Sequence, residues 1–383
     1  MSSQIVLVRI LFYQRQAIFN FVQVTGAAGF LGSHIVSQLL AKGYKVRGAA
    51  RGAKVASLQE GYASYGAKFE SIDIPDIAVG EFPEAFEGVF AVVHTATPFR
   101  SHETPESLVH VRAPQAISYS TTLNIFNTFQ GAIEGTLNVV RQAQKAGVKK
   151  VVATSSFASV FNSSGSFTDK DWNPIPKEAG AKSVEGAYAV GKTFAERALW
   201  EFADAHPEMD VTTFCPPFLY GPFAQGFSLP TPYFEALSTS FYIYHLLTPA
   251  GAFPAFAAYI DVRDLARAHV AALTAPPEAT VGRKRIVIAS PHAADFKAAL
   301  KTIAQERPEL KDRLVDVAKM PQYPFLSLPV DLKRAEDVLG VKVDSYISWK
   351  DTILNTVDSL MALENGWKAK GLSVEIPADL MAM

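Results

Sequence analysis

Residues 24–34 read VTGAAGFLGSH, Val24 to His34, with glycines at every third position: Gly26, Gly29 and Gly32. The apolar run FVQV (21–24) precedes them, and the apolar-periodic run HIVSQLLAKG (34–43) follows. Strand, turn and helix in that order are what a nucleotide-binding turn requires. Glycine reaches positive φ at little cost and lets the backbone approach a ligand closely. The helix behind it directs its N–H groups and its positive end at a pyrophosphate. A glycine triplet by itself would serve tight strand–helix packing equally well. The flanking strand and helix favour the nucleotide reading.

Outward from the turn, short apolar runs alternate with amphipathic segments. YKVRGAA (44–50), AKFESID (67–73), GVFAVVHTA (88–96), KKVVATSS (149–156) and VTTFCPP (211–217) read as further strands. GTLNVVRQAQKAG (135–147) and YAVGKTFAERALWEFADAHP (188–207) read as helices. This alternation predicts an α/β fold, a Rossmann-type doubly wound parallel sheet with helices on both faces. GVFAVVHTA is almost wholly apolar, as a strand buried on both faces should be. From about Gly221 proline and aromatic residues become frequent, as in GPFAQGFSLPTPYF (221–234) and KMPQYPFLSLP (319–329). That texture predicts a smaller, less regular C-terminal substrate lobe.

The chain of 383 residues is 49% hydrophobic and 19% charged, enough for one large domain or two smaller ones. Its formal net charge is −1 and it has no basic or acidic tract, which argues against nucleic acid and anionic membranes as partners. Cys215 is the single cysteine, so no intrachain disulfide forms and a reducing compartment suits the chain. The apolar stretch Ile5–Val24 is interrupted by Arg9, Gln14, Arg15, Gln16, Asn20 and Gln23. It is too polar to span a bilayer, and MSSQ lacks the positive start of a secretion signal. A cytoplasmic protein is expected. No spacing of His, Cys, Asp or Glu suggests a metal site.

The strand after the turn runs into AARGAK (49–54), which places Arg51 and Lys54 just beyond it. A Rossmann site for NAD usually offers an acid there to the ribose hydroxyls, whereas a cation suits the extra phosphate of NADP. The competing reading of Arg51 is an ordinary surface residue. Asp73, in SIDI (71–74), is placed to reach an adenine amino group, or else is a turn residue. VVATSSFASV (151–160) sets Ser155 and Ser156 at the C-terminal end of a predicted parallel strand. Open α/β sheets bind their ligands at that edge. In YAVGK (188–192) a spacing of four puts Tyr188 and Lys192 on one helix face. A nearby ammonium stabilises phenolate and lowers the tyrosine pKa toward the range where it can pass a proton. Alone, such a pair reads as a core aromatic and a solvated lysine. Following a glycine turn and a serine-bearing strand end, it reads as a catalytic pair.

TGAAGFLGSH, VVHTATPF, EGTLNVVRQAQKAGVKKVVATSS, YAVGK, CPPFLYGP and YIDVRDLARAHVAAL occur in that order. Together they resemble the extended short-chain dehydrogenase/reductases. Within that family the chain looks most similar to the NADPH-dependent carbonyl reductases, the group of dihydroflavonol 4-reductase, cinnamoyl-CoA reductase and the fungal methylglyoxal and 3-methylbutanal reductases. The resemblance runs from Thr25 to about Gly366. It implies NADP(H) as cofactor and hydride delivery to a carbonyl carbon. It also implies Tyr188 as proton donor, and Lys192 as the residue that lowers its pKa and binds the nicotinamide ribose. Ser156, the second serine of the TSS run, would donate a hydrogen bond to the substrate. The cofactor would lie along Gly26, Gly29, Phe30, Leu31, Gly32, Arg51, Lys54, Asp73, Ile74, Ala96, Thr97 and Pro216, with Tyr188 and Lys192. Phe99, the 223–245 segment and the C-terminal lobe would build the substrate pocket around Ser156 and Tyr188. Its aromatic content suits a hydrophobic carbonyl compound. YIDVRD (259–264) would tie the lobe to the nucleotide domain through a buried polar cluster, and His94 reads as a satisfied strand-end histidine. The implied organisation is an NADP-binding Rossmann domain over 20–220, with 259–275 returning to it, and a substrate lobe over most of 221–383. A monomer or homodimer is expected.

Two segments depart from the pattern. MSSQIVLV (1–8) already resembles the family's opening strand, and FVQV repeats it. Removing residues 9–24 leaves MSSQIVLVTGAAGFLGSH, an ordinary start. Between HTATPF and EGTLNVV the chain carries VRAPQAISYSTTLNIFNTFQ (111–130), and removing it leaves ETPESLVHGAIEGTLNVV. Both segments begin at or beside Val-Arg, contain Ile-Phe-Asn and end near Gln. They read as translated introns or, alternatively, as lineage-specific insertions. FVQV is expected to serve as the first strand, SYSTT (118–122) to loop out, and LNIF (123–126) to extend or cover the helix that follows.

Two rival functions share parts of this pattern. An NAD-dependent sugar-nucleotide epimerase or dehydratase uses the same tyrosine and lysine but wants an acid where Arg51 stands. A non-enzymatic nucleotide-sensing regulator needs the glycine turn but not Tyr188 and Lys192.

Overall fold

The computed structural model describes residues 21–96, 117–181, 183–377 and 380. Its strands are β1 (Phe21–Thr25), β2 (Lys45–Ala50), β3 (Phe69–Asp73), β4 (Val89–His94), β5 (Lys150–Thr154), β6 (Asp210–Cys215), β7 (Phe218–Tyr220), β8 (Tyr259–Asp261) and β9 (Lys284–Val287). Its main helices are α1 (Phe30–Ala41), α2 (Ala53–Gly61), α3 (Ile117–Lys145), α4 (Val184–Ala205), α5 (Ser240–Leu246), α6 (Val262–Ala272), α7 (Phe296–Glu306), α8 (Leu332–Leu339) and α9 (Trp349–Ala369). The seven-stranded sheet has the order β3-β2-β1-β4-β5-β6-β9, and every pairing in it is parallel. β7 and β8 pair as a separate parallel ribbon.

From β1 the chain steps outward to β2 and β3, then crosses back to β4 and continues through β5 and β6. The direction of winding reverses between β1 and β4. At such a switch point the C-terminal strand ends diverge and leave a crevice for a ligand. α1 and α6 pack together on one face of the sheet, α3 and α4 on the other. Val22, Val24, Ile35, Leu39 and Leu265 share the first apolar layer. Val92, Val139 and Phe86 belong to the second. The C-terminal lobe has a core of its own around Tyr244, Phe296, Trp349 and Trp367.

FVQV forms β1 as the sequence predicts, but with one misfit. Gln23 is fully buried, and neither amide atom has a hydrogen-bond partner. The second unusual segment differs from expectation. α3 begins at Ile117, so Ser118–Thr122 is helical and does not loop out. Adding residues to a helix already nucleated by GTLNVVRQAQK is far easier than starting a new one, which explains the extension.

β9 escaped the sequence pattern because KRIV opens with two cations. Lys284 and Arg285 are nevertheless buried, at 0% and 1% exposure. Lys284 pairs with Asp210, and Arg285 with Glu196 at 2.9 Å. Buried charge is tolerated where it is paired and hydrogen-bonded, and both are.

The YIDVRD cluster ties α6 to α9, as the family resemblance implies. Arg263 Nε donates to Asp261 Oδ1 (2.9 Å) and its Nη1 to Asn355 Oδ1 (2.7 Å). Thr352 Oγ1 donates to Asp261 Oδ2 (2.8 Å). Among the described residues no helix is long and apolar enough to cross a membrane, and no group of three His, Cys, Asp or Glu is disposed to hold a metal.

Candidate active site

The glycine turn closes β1 against α1. Gly26 has φ 70°, and a Cβ there would lie 2.8 Å from Thr95 Oγ1 and 3.0 Å from the Ala96 nitrogen. A Cβ on Gly32 would lie 2.1 Å from the Gly26 carbonyl oxygen. The turn is therefore folded onto itself and onto the end of β4, and only glycine fits at both places. Gly29 caps α1 and donates its N–H to the Gly26 carbonyl at 2.9 Å. Phe30 and Leu31 bury their side chains in the core. Whatever they offer a ligand comes from their backbone at the first helical turn.

The ends of β2 and β3 meet beside the turn. Asp73 Oδ1 accepts the Gly52 N–H at 3.1 Å, fixing the bend that carries Arg51. Arg51 is exposed. Desolvation and then the Arg51 charge push the Lys54 ammonium below its ordinary value. Ile74 is buried and donates its N–H to the Ala50 carbonyl at 3.0 Å. Ala96 packs against Gly26. Thr97 and Phe99 lie outside the described residues.

Ser156, Tyr188 and Lys192 come together at the C-terminal edge. Tyr188 Oη donates to Ser156 Oγ at 3.2 Å, and the same Oγ accepts the Ala158 N–H at 3.1 Å. Lys192 Nζ stands 6.0 Å from the Tyr188 ring centre. Ser183 caps α4 by accepting the Gly186 N–H at 3.0 Å, which starts the helix just ahead of Tyr188. Ser155 turns the other way, donating to Glu196 Oε2 at 2.7 Å, so Ser156 is the serine that faces the tyrosine. Pro216 is buried, and its carbonyl accepts the Phe157 N–H at 2.8 Å, joining the ends of β5 and β6.

The electrostatics differ from the sequence expectation. Desolvation raises the Tyr188 phenol above its ordinary value, with the Ser156 hydrogen bond acting against it and Tyr242 adding to it. Desolvation also lowers the Lys192 ammonium to about 8, against the raising influence of Glu196 and Cys215. His94 is the satisfied strand-end residue expected: its Nδ1 lies 2.8 Å from Thr25 Oγ1. Desolvation and then the Lys192 charge hold it near 3, so it is neutral.

An aromatic wall adjoins the trio; Tyr242 comes from the 223–245 segment and Phe256 from the C-terminal lobe that the sequence assigned to the pocket, while Phe157 and Phe218 were not singled out. Phe157 follows Ser156 directly and stacks with Phe256 at 5.7 Å between ring centres. Phe218 stacks with Tyr242 at 5.0 Å and meets Phe256 edge-on at 6.0 Å. The sequence signal for Phe218 is CPPF (215–218), an aromatic three residues past the end of β6.

Residues 22–289 match the model of the NAD dependent epimerase/dehydratase family. The chain belongs to that family, the extended short-chain dehydrogenase/reductases. It is 30% identical to the NADPH-dependent methylglyoxal reductase of Saccharomyces cerevisiae, over 90% of this chain and 98% of the relative. It is 30% identical to aldehyde reductase 2 of Sporidiobolus salmonicolor, over 82% of this chain and 91% of the relative. Among solved structures, the yeast methylglyoxal/isovaleraldehyde reductase complexed with NADPH superposes with a TM-score of 0.69 at 25% identity, covering 90% of this chain and 99% of that one.

Proposed function

We propose that this protein is an NADP-dependent oxidoreductase that reduces an aldehyde or ketone to the alcohol, with Tyr188 as the proton donor. The observation that carries the reading is the 3.2 Å hydrogen bond from Tyr188 to Ser156 at the strand edge beside the glycine turn. The two relatives named as NADPH-dependent or aldehyde reductases support the reaction class.

The residues fit NADP(H). A Cβ on Gly26 or Gly32 would strike the chain itself, so these glycines hold the turn tight at the N-terminus of α1, whose first N–H groups would meet a pyrophosphate. Arg51 and Lys54, mutually repelling, suit the ribose phosphate, and Asp73 sits beside them for the adenine end. When bound, the cofactor supplies hydride to the carbonyl carbon. Ser156 Oγ and Tyr188 Oη converge on one point, where a carbonyl oxygen accepts hydrogen bonds from both. As charge develops on that oxygen, Tyr188 transfers its proton. A raised phenol pKa keeps Tyr188 protonated and able to do so at neutral pH. Lys192, charged below about 8, stabilises the phenolate left behind. The wall of Phe157, Phe218, Tyr242 and Phe256 beside this point favours an apolar substituent on the carbonyl. The nucleotide part is assigned to 20–220 with 259–275, and the substrate lobe to most of 221–383.

NADPH oxidation against a panel of aldehydes and ketones tests the proposal. Turnover of apolar carbonyls with NADPH preferred over NADH is expected. NADPH binding without turnover of any carbonyl would overturn it in favour of a nucleotide sensor.

A further inference from the structure

The proposed roles of Ser156, Tyr188 and Lys192 direct attention to the group behind them. Glu196 lies one helical turn beyond Lys192 and two beyond Tyr188, and is 3% exposed. Its Oε2 accepts from Ser155 Oγ (2.7 Å) and Ser159 Oγ (2.5 Å), its Oε1 from Thr213 Oγ1 (2.7 Å). Arg285 Nε donates to Oε1 at 2.9 Å and Nη2 to Oε2 at 3.2 Å. The Ser159 hydroxyl also lies 2.8 Å from the Ser156 carbonyl oxygen, which accepts the Ser159 N–H at 2.9 Å. Glu196 thereby grips Ser156 from both sides, through Ser155 before it and Ser159 after it. A cavity of about 20 Å³, lined by Lys192, Glu196, His94 and Thr136 among others, joins the lysine to the carboxylate.

Stability alone does not account for this network. A buried ion pair is often no better for stability than apolar residues of the same volume. Its place, between the two elements that carry the reacting groups, suggests another use. We propose that Glu196, backed by Arg285, is a positioning residue for the reduction: it pins the Ser156 strand end to the Tyr188–Lys192 face of α4 and presents Lys192 with a fixed negative charge.

The titratable groups around Lys192 are Tyr188 and Glu196 from its own helix, His94 from β4 and Cys215 from β6. α3 contributes Ala132 and Thr136, which do not titrate. Burial keeps His94 unprotonated and pushes the Cys215 thiol up, so neither is charged at neutral pH. Desolvation acts against the Glu196 carboxylate, but Arg285 and the serine hydroxyls overcome it and hold it ionised. Lys192 loses its proton as pH rises through about 8. Removing the Glu196 charge lowers that point further. The alkaline limb of the reduction then moves to lower pH.

The test is Glu196→Gln, with E196Q/R285Q alongside it so that no unpaired charge need be buried. Binding of NADPH is read by cofactor fluorescence; kcat, KM and the pH profile are read by NADPH oxidation with a carbonyl that the wild type turns over. Unchanged NADPH affinity, kcat lowered about ten- to a hundred-fold, and an alkaline limb moved about one pH unit to acid are expected. Glu196→Asp should restore part of the limb. If kcat per bound NADPH and the pH limb stay in place while only Tm falls, the residue is merely structural and the proposal is overturned. Tyr188→Phe separates the two levels. An active Tyr188→Phe enzyme refutes the underlying mechanism; an inactive one, with the limb of Glu196→Gln unmoved, refutes the positioning role alone.

Discussion

Replacing Gln23 by leucine should stabilise the protein. The side chain is fully buried in the middle of β1, with Nε2 and Oε1 both unpartnered. Its cross-strand neighbours are Arg47 and Val92. Arg47 does not help it: the guanidinium pairs with Glu70 and donates to the carbonyls of Glu84 (3.0 Å), Ala85 (3.1 Å) and Glu87 (2.8 Å). Val92 belongs to an apolar cluster with Phe86 and Val139. A buried amide without a partner costs about 1–3 kcal/mol on the protein scale. Leucine has nearly the same volume and removes that cost, for a gain of about 2 kcal/mol. A chain of this size has a large unfolding entropy, so the rise in Tm is modest, about 2–3 °C. Urea unfolding should show a higher midpoint with unchanged slope. NADPH oxidation should be unaffected, because the side chain sits mid-strand and away from the turn. An unchanged or lower midpoint would refute the reasoning. Removing residues 9–24 provides an independent check, since Val6-Leu7-Val8 then enters the turn and puts Leu7 at this position. If Gln23→Leu stabilises while that deletion destabilises, the segment belongs to the fold and the translated-intron reading fails for it.

Deleting residues 111–130 should raise Tm and leave the carbonyl-reductase rate at least equal, because ordering each added residue costs about 1–2 kcal/mol of backbone entropy; a fall in both would show the segment to be part of the fold. Gly32→Ala should lower stability by about 1–3 kcal/mol and weaken NADPH binding, since its Cβ would lie 2.1 Å from backbone that cannot move aside; a melting curve and an NADPH titration identical to wild type would refute the fit of the turn. Arg51→Asp should shift preference from NADPH toward NADH, because a charge-assisted phosphate contact is worth about 1.5–3 kcal/mol and the aspartate adds repulsion. An unchanged ratio of the two dissociation constants would show that Arg51 does not read the phosphate.

What could be read in advance was whatever follows a local rule. The strands at 21–25, 45–50, 69–73, 89–94, 150–154 and 210–215 each overlap, to within a residue or so, a short segment read as a strand from its own pattern. The glycine turn and the spacing of Tyr188 and Lys192 encode their own geometry. Ser156 was distinguishable from Ser155 only by resemblance; the structure supplies the reason, since Ser155 is turned toward Glu196. What stayed hidden depends on partners far away in sequence. β9 begins with cations that become buried only because Asp210 and Glu196 meet them. Glu196 itself looks like any solvated helix acid until Ser159, Thr213 and Arg285 close around it. The sign of the Tyr188 shift was missed for the same reason: spacing reveals the lysine but not the desolvation. The helix was read from 135 onward, with LNIF (123–126) expected to extend or cover it, but nothing in SYSTT announces that an established helix will run through it as well.

The role of Tyr188 is tested most directly by removing one oxygen atom. Tyr188→Phe and wild type should be compared for NADPH affinity by fluorescence titration and for NADPH oxidation with a carbonyl substrate. Equal affinity is predicted, with turnover reduced by about 10² to 10⁴, the usual worth of a positioned general acid. Equal affinity with undiminished turnover would contradict the assignment of Tyr188 as the proton donor.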